Sequence, residues 1–146
     1  MTDRIDALKT LMTRLIDSRE GYRESLDHVE SPHIREIFEG FLTRRDRNAS
    51  EIRAYLTGEG HSVDADGSLL GAAHRVFVGL KDAVTAADDA ATLAEVVRGE
   101  NVLLDAYDEA LTASGGADPE YMFLKEQHAS LGQAIAQLET RRDLAA

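Results

Sequence analysis

The chain has 146 residues, no cysteine, and 27 Asp+Glu against 16 Lys+Arg, a formal charge of −11. That length suits one domain able to bury about 70% of the surface its unfolded chain exposes. The missing cysteine removes disulfides, thiolate zinc sites, iron–sulfur clusters and cysteine nucleophiles together, and the acidity repels nucleic-acid backbones and anionic membranes on average.

No apolar run approaches the ~20 residues of a membrane span, and the opening MTDRIDALKT has no signal-peptide core, so the expectation is a cytoplasmic protein without nucleic-acid or membrane partners. Apolar residues recur at intervals of three and four, and strand alternation is almost absent. Ile5, Leu8, Met12, Leu15, Tyr22 and Leu26 predict a first helix over about 3–29. Ser31-Pro32 supplies an N-cap and a first-turn proline for a second, over 32–57, striped by Ile34, Phe38, Phe41, Asn48, Ile52 and Tyr55. The run GEGHSVDADGS is a loop by composition, and a shorter helix over 69–85 follows it. Asp88-Asp89 caps a helix over 89–113 that stops at Ser114-Gly115-Gly116, and Asp118-Pro119 opens another over 119–142. Four long helices can bury their stripes together only side by side. The expected fold is therefore an all-α four-helix bundle, with the short helix in the crossover between the second and third long helices.

Each long stripe is broken near its middle by one ionisable residue: Arg19 between Leu15 and Tyr22, Arg45 between Phe41 and Asn48, Glu100 between Val97 and Leu103, and His128 between Leu124 and Leu131. Antiparallel packing brings all four toward one height and predicts a central polar layer. Taken singly, each has a plainer reading. A long Arg can snorkel from the edge of its stripe, a His is more often a satisfied core residue than a ligand, and Glu100 can pair with Arg98 on its own helix.

The segments IDSREGYRESLDHVESPHIREIFEGF, SLLGAAHRVFVGLKDAV and EVVRGENVLLDAYDEAL resemble the ferritin-like four-helix-bundle proteins of bacteria that are labelled only as a domain of unknown function. The Arg-Gly-Glu element followed by Ala-Tyr is the most specific part of the resemblance, which covers nearly the whole chain. It implies a ferritin-like fold and no established activity. Di-iron proteins of that fold take a Glu from each of two helices and a Glu-x-x-His from each of the other two, because iron wants several anionic oxygens with imidazole beside them. Here Glu100 matches an acidic ligand, and Tyr107, seven residues on, has ferritin-like spacing. Arg19 stands where a Glu is needed, with Asp17 and Glu20 flanking it. Thr43 to Glu51 holds no histidine, and Glu126 and His128 are separated by two rather than three. A reduced iron site would draw on Asp17, Glu20, Glu100 and His128; two arginines in the same layer would repel cations.

No phosphate-cradling glycine loop follows a strand, and no serine has a convincing His/Asp partnership. His74 in the crossover helix, with Tyr107, is a candidate pocket pair, while His33 and His61 fall at a helix start and in a loop. The basic cluster Arg44-Arg45-Asp46-Arg47 with Arg53 is interleaved with acids and lacks the aromatic platforms of single-strand binders. The sequence thus reads as a non-enzymatic bundle without a cofactor, a stress-related interaction module whose Arg19, Arg45, Glu100 and His128 layer is structural. The alternative is an iron-binding, ferroxidase-like bundle or a small-anion site built on the two arginines. Phe38, Phe41, Phe77, Phe123 and Val78 exceed what one narrow stripe per helix buries, and so predict a homodimer.

Overall fold

The computed structural model describes residues 3–61 and 78–145. Among them lie five helices and no strand: α1 (Arg4–Leu26), α2 (Pro32–Gly58), α3 (Val78–Thr85), α4 (Asp89–Ala113) and α5 (Pro119–Ala145). The first part of the expected crossover helix, His74 included, lies outside the described residues, as does Phe77.

Local chemistry explains the boundaries. Ser31 Oγ accepts from the Ile34 N–H at 3.4 Å and Asp88 Oδ1 accepts from the Ala91 N–H at 3.0 Å, so both expected caps satisfy donors that a helix start leaves free. Asp118 does something else: its Oδ2 accepts from the Gly115 N–H at 2.7 Å and tightens the turn between α4 and α5. Helix α1 ends at Leu26, earlier than its apolar stripe suggests. Arg35, in the first turn of α2, reaches back to the carbonyls of Leu26 at 3.3 Å and Val29 at 2.8 Å and supplies the donors that a further helical turn would have supplied.

Contacts at the two ends give the helix directions. Arg4 at the start of α1 meets Tyr55 near the end of α2 and Glu120 at the start of α5. At the opposite end Ser31 approaches Asp89 at 3.5 Å and Arg141 approaches His33 at 3.3 Å. Helices α1 and α5 therefore run one way, and α2 and α4 the other. Helix α1 packs on α2 and α4, α4 packs on α5, and α3 lies against α4 and α1.

Among the described residues the buried apolar side chains form two clusters. One holds Leu8, Leu11, Leu15, Ile52, Leu56, Leu103 and Leu124; the other holds Tyr22, Ile34, Phe38, Phe41, Leu80, Val96 and Leu138. Along α1, α2 and α4 the division falls at Ser18, Arg45 and Glu100, which are all buried.

Of the phenylalanines expected to carry a homodimer, the three described ones are not exposed. Phe38 and Phe41 are buried, their rings packed on Tyr22, and Phe123 is half-buried against Tyr55 with centroids 5.9 Å apart. These stripes are wider than one residue per turn, so Phe38, Phe41 and Phe123 find cover within the chain. The side chain of Val78 lies outside the described set. The large exposed hydrophobics among the described residues are Met122 and Leu144.

Ala87, in the turn between α3 and α4, has φ 55°. An L-residue held in that left-handed region is destabilised by roughly 1 kcal/mol relative to glycine, partly offset by the greater freedom of glycine in the unfolded chain. Ala87→Gly should raise the denaturant midpoint by up to about 1 kcal/mol in stability. An unchanged or lowered midpoint would show that the turn is not strained.

Candidate functional site

The middle of α4 is apolar on its inner side, with Val96, Val97 and Leu103 buried around Glu100, which is itself completely buried. A carboxylate in such surroundings must be protonated, paired or hydrogen-bonded, because an isolated buried charge is prohibitively costly. Glu100 is paired and hydrogen-bonded at both oxygens. Oε2 accepts from Arg45 Nη2 on α2; Oε1 accepts from the Tyr22 hydroxyl on α1 and, at 3.3 Å, from Ser18 Oγ one turn earlier. Phe41 covers the group, its ring stacked on Tyr22 at 5.5 Å and lying beneath the Arg45 guanidinium at 5.1 Å.

Each ionisation state follows from this geometry. Burial, reinforced by the Glu100 charge, pushes the Tyr22 phenol well above its ordinary 10.0, so the phenol keeps its proton and donates it. Burial opposes the charge of Arg45, but the facing carboxylate outweighs it and holds the guanidinium charged. Nearby, Tyr107 is also buried, and burial raises its phenol. It donates to Gln127 Oε1 at 2.6 Å, and Gln127 Nε2 donates onward to Glu51 at 2.9 Å.

The expected layer is therefore half corrected. Arg45 and Glu100 meet, but Arg19 and His128 do not join them. Arg19 lies at the surface and pairs with Glu20 at 3.2 Å and Asp46 at 3.0 Å; His128 pairs with Asp108 at 2.7 Å. Ser18, immediately before Arg19, takes its place beside Glu100, while Gln127, immediately before His128, is buried and bonds Tyr107 and Glu51. A second buried guanidinium beside Arg45 would lack a counter-charge, whereas a small hydroxyl adds a donor to Glu100 without adding charge. Arg98 pairs with Glu95 rather than with Glu100. The four candidate iron ligands do not converge either: Asp17 is buried, Glu20 faces Arg19 and Arg23, Glu100 is held by Arg45, and His128 is on the outer face. Among the described residues no group of three or more His, Cys, Asp or Glu side chains is arranged to hold a metal.

A family model described as Domain of unknown function (DUF2383) matches residues 3–113. The chain belongs to that family. The matched span carries Ser18, Tyr22, Arg45 and Glu100 and ends with α4, so the DUF2383 region contains the whole Glu100 cluster while α5 lies beyond it. No curated protein and no solved structure matches the chain. No helix among the described residues is long and apolar enough to cross a membrane.

Sequence reasoning missed a second cluster, at the end of the molecule where α1 begins. Glu120, fully buried in the first turn of α5, accepts from Arg4 at 2.8 and 2.9 Å, from the Tyr55 hydroxyl at 2.8 Å and from Ser114 Oγ at 3.0 Å. A buried Glu one residue after a helix-opening proline looks like an ordinary first-turn acid, and its main partner is 116 positions away. Burial raises the Glu120 carboxyl, but the hydrogen bonds from Arg4, Tyr55 and Ser114 outweigh burial and hold it below its ordinary 4.5.

Two predictions follow from these clusters. Glu100→Ala leaves Arg45 buried without a counter-charge and should cost ~3–5 kcal/mol, whereas Arg19→Met should stay within ~0.5 kcal/mol of wild type. Combining Glu100→Met, Arg45→Met and Tyr22→Phe replaces the pair by apolar groups of similar volume and should recover most of the loss. Denaturant melts of the three proteins decide the matter, and a mild Glu100→Ala would show that the pair is not needed.

For Glu120 the folded-state value is depressed, so its stabilisation is complete above the unfolded value near 4.5 and is lost as pH falls through the folded one. The stability gap between wild type and Glu120→Gln should be full at neutral pH and close progressively below that value. A gap independent of pH would show that the ionised carboxylate is not what the cluster holds.

Proposed function

We propose that this DUF2383 protein is a ferritin-like four-helix bundle in which an arginine–glutamate pair occupies the layer that di-iron relatives give to metal, and that it works by binding rather than by catalysis. The observation that carries this reading is the full engagement of Glu100, with Arg45 on one oxygen and Tyr22 and Ser18 on the other. A carboxylate so held has both oxygens committed to protein donors, and the adjacent guanidinium disfavours a second cation. The helix directions support the bundle assignment. A long crossover that sets α2 and α4 parallel, with α1 and α5 running the other way, is the one-crossover connectivity of ferritin-like folds.

The rest of the interior supports a non-catalytic role. Arg45, Glu100 and Glu120 are locked in ion pairs, and Tyr22 and Tyr107 are driven by burial to their neutral forms. A general acid or base needs the opposite, a value tuned toward the operating pH and a path to substrate. Metal content of protein purified after iron supplementation, together with anaerobic ferrous titration, tests the reading. Substoichiometric iron and no ferroxidase activity are expected; stoichiometric iron that Glu100→Ala removes would overturn it.

A further inference from the structure

Three of the four edges of the helical body are closed by direct packing, of α1 on α2, α1 on α4 and α4 on α5. The fourth, between α2 and α5, is joined mainly near its ends. Glu51 bonds Gln127 and Tyr55 meets Phe123 at one end, and His33 meets Arg141 at the other. Between these clasps two cavities of about 310 and 220 Å³ adjoin, sharing Arg44 and Ala134 in their walls. From His33 to Glu51 the helix advances roughly 27 Å at 1.5 Å per residue, so the groove between the clasps is long.

Its two halves differ in chemistry. The half toward Arg141 has Ile37 and the edges of the buried Phe41 and Leu138 in its walls, with Glu36, Gln137 and Arg141 around them; the half toward Glu51 has Arg44, Arg45 and Arg47. Arg44 and Arg47 are exposed and have no carboxylate partner among the described residues, although the chain carries 27 acids against 16 bases. Arg45 gives Nη2 to Glu100, yet its buried Nε has no acceptor. A buried N–H left without a partner is rare and costly. Acids mark the ends rather than the middle: Glu36 at one, Glu51 and Glu126 at the other.

Gly40 adds an independent observation. It lies in the interior of α2 and in the wall of the apolar half, where glycine weakens a helix relative to alanine. A Cβ there would meet nothing within 4 Å, so no contact within the chain requires glycine. Because Gly40 lines the cavity, a larger side chain at this position would stand in the groove.

We propose that the α2–α5 groove binds one alkyl carboxylate, with its head on Arg44, Arg45 and Arg47 and its chain along Ile37, Phe41 and Leu138 past Gly40. The proposal deepens the binding role inferred above. The guanidinium fork suits a carboxylate through charge-assisted paired hydrogen bonds, and the Ile37, Phe41 and Leu138 wall offers apolar contact to a chain that would otherwise be hydrated.

The test is calorimetric titration of the full chain with decanoate below its micelle concentration, beside decanol and decyl phosphate. Saturable binding of one decanoate per chain is expected, with decanol weaker by about tenfold or more, because each lost charge-assisted contact is worth about that factor. The paired change Arg44→Ala and Arg47→Ala, both at exposed positions, should weaken decanoate by a similar factor without lowering the melting temperature. Gly40→Leu should block the chain while raising the melting temperature. Absence of saturable binding, decanol equal to decanoate, or indifference to both variants overturns the proposal, and tighter decyl phosphate overturns its choice of head group. Each of these results is independent of iron content, so failure of the groove site is distinguishable from failure of the metal-free reading.

Discussion

The burial of one charge pair governs the interior of this molecule. Glu100 and Arg45 come from helices that run parallel in the body, and each is uncompensated without the other. A buried ion pair contributes little net stability relative to apolar residues of the same volume, but breaking it is severely destabilising. Its value to the fold is therefore one of register. Only one axial setting of α1, α2 and α4 brings Ser18, Tyr22, Arg45 and Glu100 to the same height, and sliding any helix by a turn would strand a charge in one of the two apolar clusters that flank the layer.

The Glu120 cluster does at the end of the body what Glu100 does at its middle. Arg4, Tyr55, Ser114 and Glu120 come from the start of α1, the end of α2, the residue closing α4 and the start of α5, so one carboxylate ties four helix ends. Two carboxylates, each with more than one donor, thus hold the long helices at two heights. Between α2 and α5 no comparable clasp spans the central turns, and the groove opens there. The distribution of polar clasps and the position of the cavity are two sides of one arrangement.

Much of this was legible from spacing. Ser31-Pro32 and Asp88 marked helix starts because a side-chain oxygen before an apolar stripe has few better uses than capping free N–H groups. Glu100 and Arg45 were identifiable as layer residues because a charge within an otherwise apolar stripe needs a counterpart. The stripe of α1 did not reveal Asp17 as buried, nor that of α5 Gln127, since polar side chains carry no apolar signal. Arg4 and Glu120 stayed hidden because each is plausible on its own helix, and only the third dimension joins them. The expectation of exposed phenylalanines failed at Phe38, Phe41 and Phe123 for a related reason: the stripes are wider than one residue per turn, and packing covers their whole width.

The sequence by itself determined the helical content, the starts of the long helices and the two close turns, because these depend on periodicity and on chemistry within a few residues. It also determined that a polar residue would interrupt the core near the middle of each long helix. Which residue that would be was decided only by tertiary structure. Spacings of three and four admit two adjacent positions about 100° apart on a helix, Ser18 or Arg19 and Gln127 or His128. The choice went to the side chain whose charge and volume the neighbours could accept. One buried guanidinium was already matched to one carboxylate, so the uncharged member of each adjacent pair turned inward and the charged or titratable one turned out to surface acids.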